Sequence, residues 1–140
     1  MSDFVFTVSA KAHYDAAHFL RNYDGKCSRL HGHRYVVEAA VQATELDDSG
    51  IAFDFVDLKK ALGGIADELD HENLNELPAF AELETSAENQ ARYIYQELEK
   101  RLPAEIADGL LYTRVWEAPG QWAQYGRSGA PVPAPRGSED

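Results

Sequence analysis

The residues whose types and spacing best suit chemistry lie between Cys27 and His33, in the segment Cys-Ser-Arg-Leu-His-Gly-His. This segment brings the only cysteine of a 140-residue chain close to a His-x-His pair. Alternate side chains of a β-strand lie on one face, so we expect His31 and His33 to point the same way. With His18 as the candidate third ligand, three imidazoles form a zinc-ligand set whose fourth position stays open. The spacing alone leaves a second interpretation, half-exposed strand histidines that hold no metal.

Cys27 also has two interpretations. Most free cysteines are small buried hydrophobic residues. The neighbours of Cys27 are polar and include Lys26 and Arg29, and cations beside a thiol favour the thiolate, which could act as a general base. His13 has no comparable neighbours, and we expect it to be an ordinary strand histidine.

Three carboxylates are candidates for acid–base chemistry or binding. Asp70 precedes His71 directly, and a carboxylate beside an imidazole can orient it and stabilise its protonated form. The alternative for His71 is an interaction with the dipole at a helix C-terminus. Glu117 ends a predicted strand, where it could accept two N–H groups from a guanidine-like heterocycle edge or simply be a solvated acid. Glu88 has the same ambiguity, and its structural alternative is a helix capping box.

The composition is that of an acidic globular protein. The net charge of −11 argues against a nucleic-acid partner, because binding to phosphate backbones needs clustered Lys and Arg. A single cysteine excludes an internal disulfide and suits a reducing compartment. The sequence contains neither the apolar core of a signal peptide near its start nor an apolar run long enough for a membrane span. We therefore expect a cytoplasmic protein with no membrane partner.

The apolar pattern predicts the order strand, strand, helix, helix, strand, strand. Alternation starts the first strand at residues 4–10 and extends it towards Phe19, with a break near Ala16-Ala17. The first helix covers Phe55 to Leu69 after an Asp54 N-cap, and the second begins near Thr85 with a Thr85/Glu88 capping box and ends at Pro103. The other strands are predicted at residues 33–44, 110–117 and 122–125.

Strands grouped apart from helices indicate an α+β fold, with the helices on one face of an antiparallel sheet. At this length we expect a single domain, covering residues 1–125. Residues 126–140 contain three of the six prolines together with Gly and Ser, which predicts a disordered tail.

Six ordered signals occur along residues 4–125. They are Ala17-His18; Cys27 with His31-Gly32-His33; Phe53-Asp54-Phe55 with Leu58-Lys59; Leu69-Asp70-His71 with Leu74-Asn75; Glu88-Asn89 with Ala91; and Trp116-Glu117. Together these signals resemble the 6-pyruvoyl-tetrahydropterin synthase superfamily, and the branch they resemble most is bacterial 6-carboxytetrahydropterin synthase, of the queuosine and 7-deazaguanine pathway. The gap between Cys27 and His31 resembles this branch, whereas the loop at residues 77–80 is more similar to the pyruvoyl branch. One departure is Ser86-Ala87, where the family usually has two hydroxyl residues.

The resemblance implies the tunnelling fold. Each subunit would supply a four-stranded antiparallel sheet with two helices on one face, three subunits would close a barrel, and two trimers would form a homohexamer. Active sites would lie between subunits, so Cys27 and the pair Asp70-His71 would meet only across an interface.

The resemblance also implies a zinc-dependent lyase that acts on 7,8-dihydroneopterin triphosphate. The products would be 6-carboxy-5,6,7,8-tetrahydropterin, acetaldehyde and triphosphate. Two alternatives remain, a pyruvoyl-type synthase that keeps the side chain and a non-catalytic zinc- or pterin-binding module.

The roles that the resemblance implies fall into three groups. His18, His31 and His33 would hold Zn²⁺, while Cys27, Asp70 and His71 would be catalytic. Glu117 would anchor the pterin edge with Glu88 as a second candidate, and Ser86 keeps one of the hydroxyls that the family places there. Because the chain is acidic, the triphosphate needs local cations, for which Lys26, Arg29 and Arg21 are the candidates.

Overall fold

A computed structural model describes residues 4–133 and confirms the α+β architecture. A four-stranded antiparallel sheet has the order β1-β2-β3-β4, and each strand pairs with its neighbour along the chain. The elements are β1 (Phe6–His18), β2 (His31–Ala43), α1 (Phe55–Leu69), α2 (Ala87–Arg101), α3 (Ala104–Ala107), β3 (Leu110–Ala118) and β4 (Gln121–Gly126). α3 is a four-residue helix that the apolar pattern did not predict.

The hairpin of β1 and β2 sets the position of the histidines. His18 pairs directly with His31, and Ala16 pairs with His33. Because side chains alternate along each strand, these three imidazoles lie on the same face as Tyr14 and Tyr35, whose side chains are buried in the core. β1 runs through Ala16-Ala17 without the predicted break.

Helix α1 forms on the predicted apolar stripe. Leu58, Leu62, Ile65 and Leu69 are buried, and the helix packs against β1. The Asp54 side chain accepts a hydrogen bond from the Val56 N–H, which confirms the predicted N-cap. The helix ends at Leu69, and the next residues are Asp70, which is the C-cap, and His71.

Helix α2 begins one residue later than the predicted capping box. Ser86, not Thr85, is the N-cap, and its Oγ accepts from the Asn89 N–H. Thr85 is fully buried and donates its hydroxyl to the Phe19 carbonyl instead. The Thr85/Glu88 capping box was therefore wrong, because the hydroxyl of Thr85 is used to tie α2 to the end of β1.

The chain beyond α1 also runs along the free edge of β1. Ala17 forms an isolated parallel bridge with Asn73, and the His71 N–H donates to the Asp15 carbonyl over 2.6 Å. These bonds cover part of an edge strand whose backbone groups would otherwise be unpaired.

The stretch predicted as a disordered tail begins at residue 126. Gly126 belongs to β4, and the Arg127 N–H donates to the Leu111 carbonyl. The buried Arg114 guanidinium donates to the Pro131 carbonyl. The remainder of that prediction concerns residues 134–140, which lie outside the described residues. Among residues 4–133, no helix is both long and apolar enough to cross a bilayer.

Candidate metal centre and active site

Three histidines form a cluster at one end of the β1–β2 hairpin. One ligand nitrogen from each of His18, His31 and His33 lies within 4.8 Å of the others. The ring centroids of His18 lie 4.6 Å from His31 and 5.5 Å from His33. His18 is buried, whereas His31 and His33 are partly exposed. The cluster therefore has one buried side and one side that a small molecule can reach.

Backbone carbonyls fix the proton on two of these rings. The His18 Nδ1 lies 2.7 Å from the Thr85 carbonyl oxygen, and the His31 Nδ1 lies 2.6 Å from the Arg29 carbonyl oxygen. A carbonyl can only accept, so each Nδ1 carries the hydrogen and each Nε2 keeps its lone pair. Donation of the second ring N–H to a carbonyl is the usual support of a metal-binding histidine.

The His18 Nε2 gives the most specific indication of a metal. It is one of two buried side-chain polar atoms without a hydrogen-bond partner among the described residues. Leaving a buried acceptor unpaired costs roughly 1–3 kcal/mol, so such an atom calls for an explanation. Coordination of a metal ion by this lone pair would supply one, and the three-histidine set fits Zn²⁺ with an open position.

The electrostatics also favour metal binding. Burial lowers the pKa of His18, and burial likewise lowers the pKa of His33. Both rings therefore resist protonation, and the neutral imidazole is the form that binds a metal.

Glu117 and Tyr35 border the cluster. The Glu117 Oε1 lies 3.9 Å from the His18 Nε2, which is too far for a hydrogen bond and leaves the carboxylate available. The Glu117 side chain is 28% exposed at the end of β3, where the strand register is irregular. The Tyr35 ring lies 5.3 Å from His33, and its buried hydroxyl is the second unpartnered polar atom among the described residues. Burial raises the pKa of Tyr35, so the phenol stays protonated.

Asp70 and His71 form a hydrogen-bonded pair at the edge of β1. The His71 Nδ1–H donates to the Asp70 Oδ2 over 2.8 Å, while the Asp70 Oδ1 accepts from the Asp15 N–H. These bonds raise the pKa of His71 and lower that of Asp70, for which the Asp15 N–H is the larger cause. The His71 side chain is 81% exposed, so its Nε2 can exchange a proton with a bound molecule. The two neighbours thus contact each other directly.

Cys27 lies in the loop that joins β1 to β2, within the short 3-10 turn Lys26–Ser28. It is exposed, which excludes the buried-hydrophobe interpretation. The Cys27 carbonyl accepts from the Leu20 N–H and closes the loop beside the histidines. Within the described part of one chain, no hydrogen bond or ion pair joins Cys27 to Asp70 or His71.

The candidate phosphate ligands differ in their surroundings. Lys26 and Arg29 are exposed in the Cys27 loop. The Arg21 guanidinium donates to the carbonyls of Leu83 and Asn75, so this charge holds two loops together. Lys26 and Arg29 are therefore the better placed of the three for an incoming anion.

Ser86 and Glu88 lie at the start of α2. The Ser86 Oγ is engaged as the N-cap, and Glu88 is exposed in the first turn. A carboxylate at a helix N-terminus is favoured by the helix dipole, which accounts for Glu88 without a ligand.

A buried polar network behind His18 was missed in the sequence. Gln90 donates to the Thr85 carbonyl and accepts from the Tyr14 hydroxyl, and all three residues are buried. The available signal was a glutamine within the apolar stripe of α2, between Ala87 and Ile94. A polar residue at a core position implies a buried partner.

Comparisons with known proteins identify a family model, similar sequences and a similar structure. A family model described as 6-pyruvoyl tetrahydropterin synthase matches residues 7–128. A 6-carboxy-5,6,7,8-tetrahydropterin synthase from Bacillus subtilis is 42% identical over 78 residues, which are 55% of this chain and 51% of that protein. The Haemophilus influenzae protein of the same name is 29% identical over 86% of this chain and 99% of its own length. The match therefore spans about half of the Bacillus relative and nearly all of the Haemophilus relative.

Two further similarities bear on function and fold. A dihydroneopterin monophosphate aldolase from Pyrococcus furiosus is 34% identical over 76% of this chain and 85% of its own length. The structure of Caenorhabditis elegans 6-pyruvoyl tetrahydropterin synthase has a TM-score of 0.80 and 26% identity, covering 89% of this chain and 96% of that one.

Proposed function

The chain belongs to the 6-pyruvoyl tetrahydropterin synthase family, and on that basis we propose that it is a zinc-dependent 6-carboxytetrahydropterin synthase. It would convert 7,8-dihydroneopterin triphosphate and one water to 6-carboxy-5,6,7,8-tetrahydropterin, acetaldehyde and triphosphate. The reaction would serve queuosine and 7-deazaguanine biosynthesis in the cytoplasm. The names of the Bacillus and Haemophilus relatives support the carboxy branch.

The observation that carries the proposal is the unpartnered His18 Nε2 beside two further imidazoles. Zn²⁺ bound there would supply Lewis-acid chemistry to the side-chain hydroxyls of the substrate and lower their pKa. His31 is held in the same tautomer as His18 by the Arg29 carbonyl, so both rings present Nε2 without rearrangement.

The acid–base roles follow from accessibility and hydrogen bonding. Cys27 is exposed on the loop that leads into His31, where its thiolate would move a proton at the side-chain carbon next to the pterin ring. His71 would be the second acid–base group, because the Asp70 carboxylate orients the ring and stabilises its protonated form. In this proposal Cys27 comes from one subunit and Asp70-His71 from another.

Binding and orientation would fall to residues around the cluster. The Glu117 carboxylate stands 3.9 Å from the His18 Nε2 and would accept the N–H donors of the pterin edge. Glu88 is the second candidate for this contact, and the Ser86 hydroxyl is a candidate ligand in addition to its capping role. Lys26 and Arg29 would meet the triphosphate.

The subunit arrangement completes the proposal. A homohexamer built as a dimer of trimers would place active sites between subunits and pair the free edges of β1 and β4. Besides the pterin triphosphate, this proposal involves neither a nucleic-acid nor a membrane partner.

The test is an incubation of the zinc-loaded protein with 7,8-dihydroneopterin triphosphate, with acetaldehyde and the pterin product measured together. Acetaldehyde in equal amount to a 6-carboxy pterin is the expected result. Loss of triphosphate without an aldehyde would contradict it, and so would release of a phosphorylated two-carbon aldehyde, the product of an aldolase cleavage of this side chain.

A pyruvoyl-type synthase is the second candidate, because the Caenorhabditis elegans enzyme of that name shares the fold at 26% identity. Such an enzyme removes triphosphate and keeps the three-carbon side chain. The same assay separates the two candidates by the presence or absence of acetaldehyde.

A further inference from the structure

We propose that Gln90 is a positioning residue for the metal centre. Its side-chain amide, backed by the Tyr14 hydroxyl, holds the Thr85 carbonyl where it accepts the His18 Nδ1–H, so that the His18 Nε2 faces the metal. This inference rests on the proposed metal centre of the function above, and it adds residues that lie behind the ligands.

The hydrogen bonds of the Gln90 side chain have defined donors and acceptors. The Gln90 Nε2 donates to the Thr85 carbonyl over 2.8 Å, and the Gln90 Oε1 accepts from the Tyr14 hydroxyl over 2.6 Å. The Thr85 carbonyl can only accept, so the amide nitrogen must face it and the amide oxygen must face Tyr14. Gln90 and Tyr14 are both fully buried, so neither hydrogen bond is exposed to solvent.

The Thr85 carbonyl is not held by the helix itself. The first backbone hydrogen bond of α2 runs from the Gln90 N–H to the carbonyl of Ser86, the residue after Thr85. The partners of the Thr85 carbonyl among the described residues are the side chains of His18 and Gln90. Without the Gln90 amide, the His18 imidazole would be the remaining partner of the Thr85 carbonyl. The position of this carbonyl would then be less constrained.

The backbone beside His18 is also held in place by hydrogen bonds. The Thr85 hydroxyl lies 3.1 Å from both the Phe19 carbonyl oxygen and the Asn75 Oδ1. Asn75 in turn accepts from the Phe19 N–H and donates to the Phe19 carbonyl. Since Phe19 follows His18, these bonds hold the ligand's backbone and leave the ring orientation to the Thr85 carbonyl and Gln90.

A matched control on β3 makes a buried bond to the same helix. Thr113 is fully buried, and its hydroxyl donates to the Ala91 carbonyl of α2 over 2.6 Å. Thr113→Val therefore removes a buried side-chain bond to α2 that does not lead to a histidine. Gln90→Met removes the amide at similar side-chain volume.

The experiment compares the zinc affinity of the full-length wild type, Gln90→Met and Thr113→Val by competition with a chelator. Loss of a group bonded directly to a metal ligand typically weakens metal binding about 10- to 100-fold. Gln90 acts one hydrogen bond further from the ligand, so we expect Gln90→Met to weaken zinc binding about 10-fold, at the lower end of that range. We expect Thr113→Val to bind zinc like the wild type. Unchanged affinity in Gln90→Met, or equal weakening in both variants, would overturn the proposal.

A second readout does not depend on metal. In the metal-free protein, ¹⁵N NMR of the imidazoles should find His18 protonated at Nδ1 in the wild type and as a tautomer mixture in Gln90→Met. A wild-type protein that binds no zinc would refute the proposed metal centre, while the His18 tautomers would still decide the role of Gln90. If Gln90→Met does not fold, Tyr14→Phe removes the outer bond alone and should shift the tautomers in the same direction, whereas unchanged tautomers would overturn the proposal.

Discussion

His71 adopts an unusual backbone conformation, with a φ of 60° in the left-handed region. A non-glycine residue adopts this conformation only where its surroundings hold it. The His71 N–H bond to the Asp15 carbonyl and the side-chain bond to Asp70 supply that hold. The backbone and the carboxylate together therefore set the direction of the imidazole.

Asp70→Asn tests this pairing. The amide can still accept from the Asp15 N–H, but it no longer carries the charge that raises the pKa of His71. We expect the pKa of His71 to fall towards the ordinary value of about 6.5 in an NMR titration. Asp67→Asn, which removes an exposed charge from the same helix, is the control and should leave that pKa in place. A His71 pKa that is the same in Asp70→Asn as in the wild type would refute the role of the carboxylate.

The pairing also predicts a pH window for stability. The pKa of His71 is raised on folding, so its contribution is present below about pH 6.5 and is lost as the pH rises through the folded value. The pKa of Asp70 is lowered, so its contribution is present above about pH 4 and is lost as the pH falls through the folded value. The bond contributes most between these limits.

Cys27→Ala tests the proposed general base. The thiol is exposed and outside the three-histidine set, so we expect the variant to bind zinc as the wild type does. Loss of a general base typically slows turnover about 100- to 10,000-fold, and a fall in kcat of this size is expected. Full activity would exclude Cys27 from proton transfer, and loss of zinc together with activity would assign it a different role.

At the scale of elements, the first turn of α2 serves two purposes. The Ser86 side chain caps the helix, while Thr85 and Gln90 of the same turn support His18. The start of this helix therefore carries both part of its stability and part of the metal centre. The two purposes use different groups, because the Ser86 hydroxyl caps the helix whereas the Thr85 carbonyl and the Gln90 amide support His18.

Ser86→Ala separates the cap from substrate binding. Loss of an N-cap costs about 1 kcal/mol, and we expect the free energy of unfolding in urea to fall by that amount. Ser86→Asp keeps a capping oxygen and should retain the stability. A rise in KM in Ser86→Asp without loss of stability would support a substrate contact of the hydroxyl, whereas a Ser86→Ala protein as stable as the wild type would contradict the capping assignment.

The elements were predictable where one physical signal dominated. The apolar stripe and Asp54 specify α1, and the alternation around His31 and His33 predicts that they share a face. The predicted start of α2 was wrong because the side chain taken as its N-cap has a partner elsewhere in the fold. Thr85 resembles an N-cap in sequence, but its hydroxyl bonds to Phe19 across the fold.

The sequence predicted the histidines of the candidate site but not the buried residues behind them. The three histidines were identified from spacing and resemblance, and they form one cluster. Tyr14 and Gln90 are 76 residues apart and have no local pattern that links them. The packing of α2 against β3 and β4 brings them behind His18. The glutamine in the apolar stripe of α2 indicates a buried partner but does not identify it.

At the scale of the whole molecule, the proposed catalytic groups lie on different elements of the described chain. Cys27 lies in the β1–β2 loop, whereas Asp70-His71 lies against the free edge of β1. Apolar residues are exposed around the start of α1, with Phe55 at 60% and Val56 at 70%. The three- and four-residue apolar spacing of α1 includes Phe55, but the structure leaves this side chain outside the buried stripe of the helix.

Mixing two inactive variants tests the shared site. Cys27→Ala and His71→Ala subunits, unfolded together and reassembled, should regain activity, because some interfaces then combine an intact Cys27 with an intact His71. For random assembly in a closed ring we expect about a quarter of the sites to be restored. Each variant reassembled alone is the control. A mixture as inactive as its components would place all catalytic groups within one subunit.

The metal dependence of acetaldehyde release is the most direct test of the proposed three-histidine centre. We expect acetaldehyde and 6-carboxy pterin in equal amounts from the zinc-loaded protein, none after the metal is stripped, and recovery when zinc is returned. His31→Ala, which removes a partly exposed proposed ligand, should not recover activity. Acetaldehyde release that continues in the stripped protein or in His31→Ala would refute a role of the three histidines in the reaction.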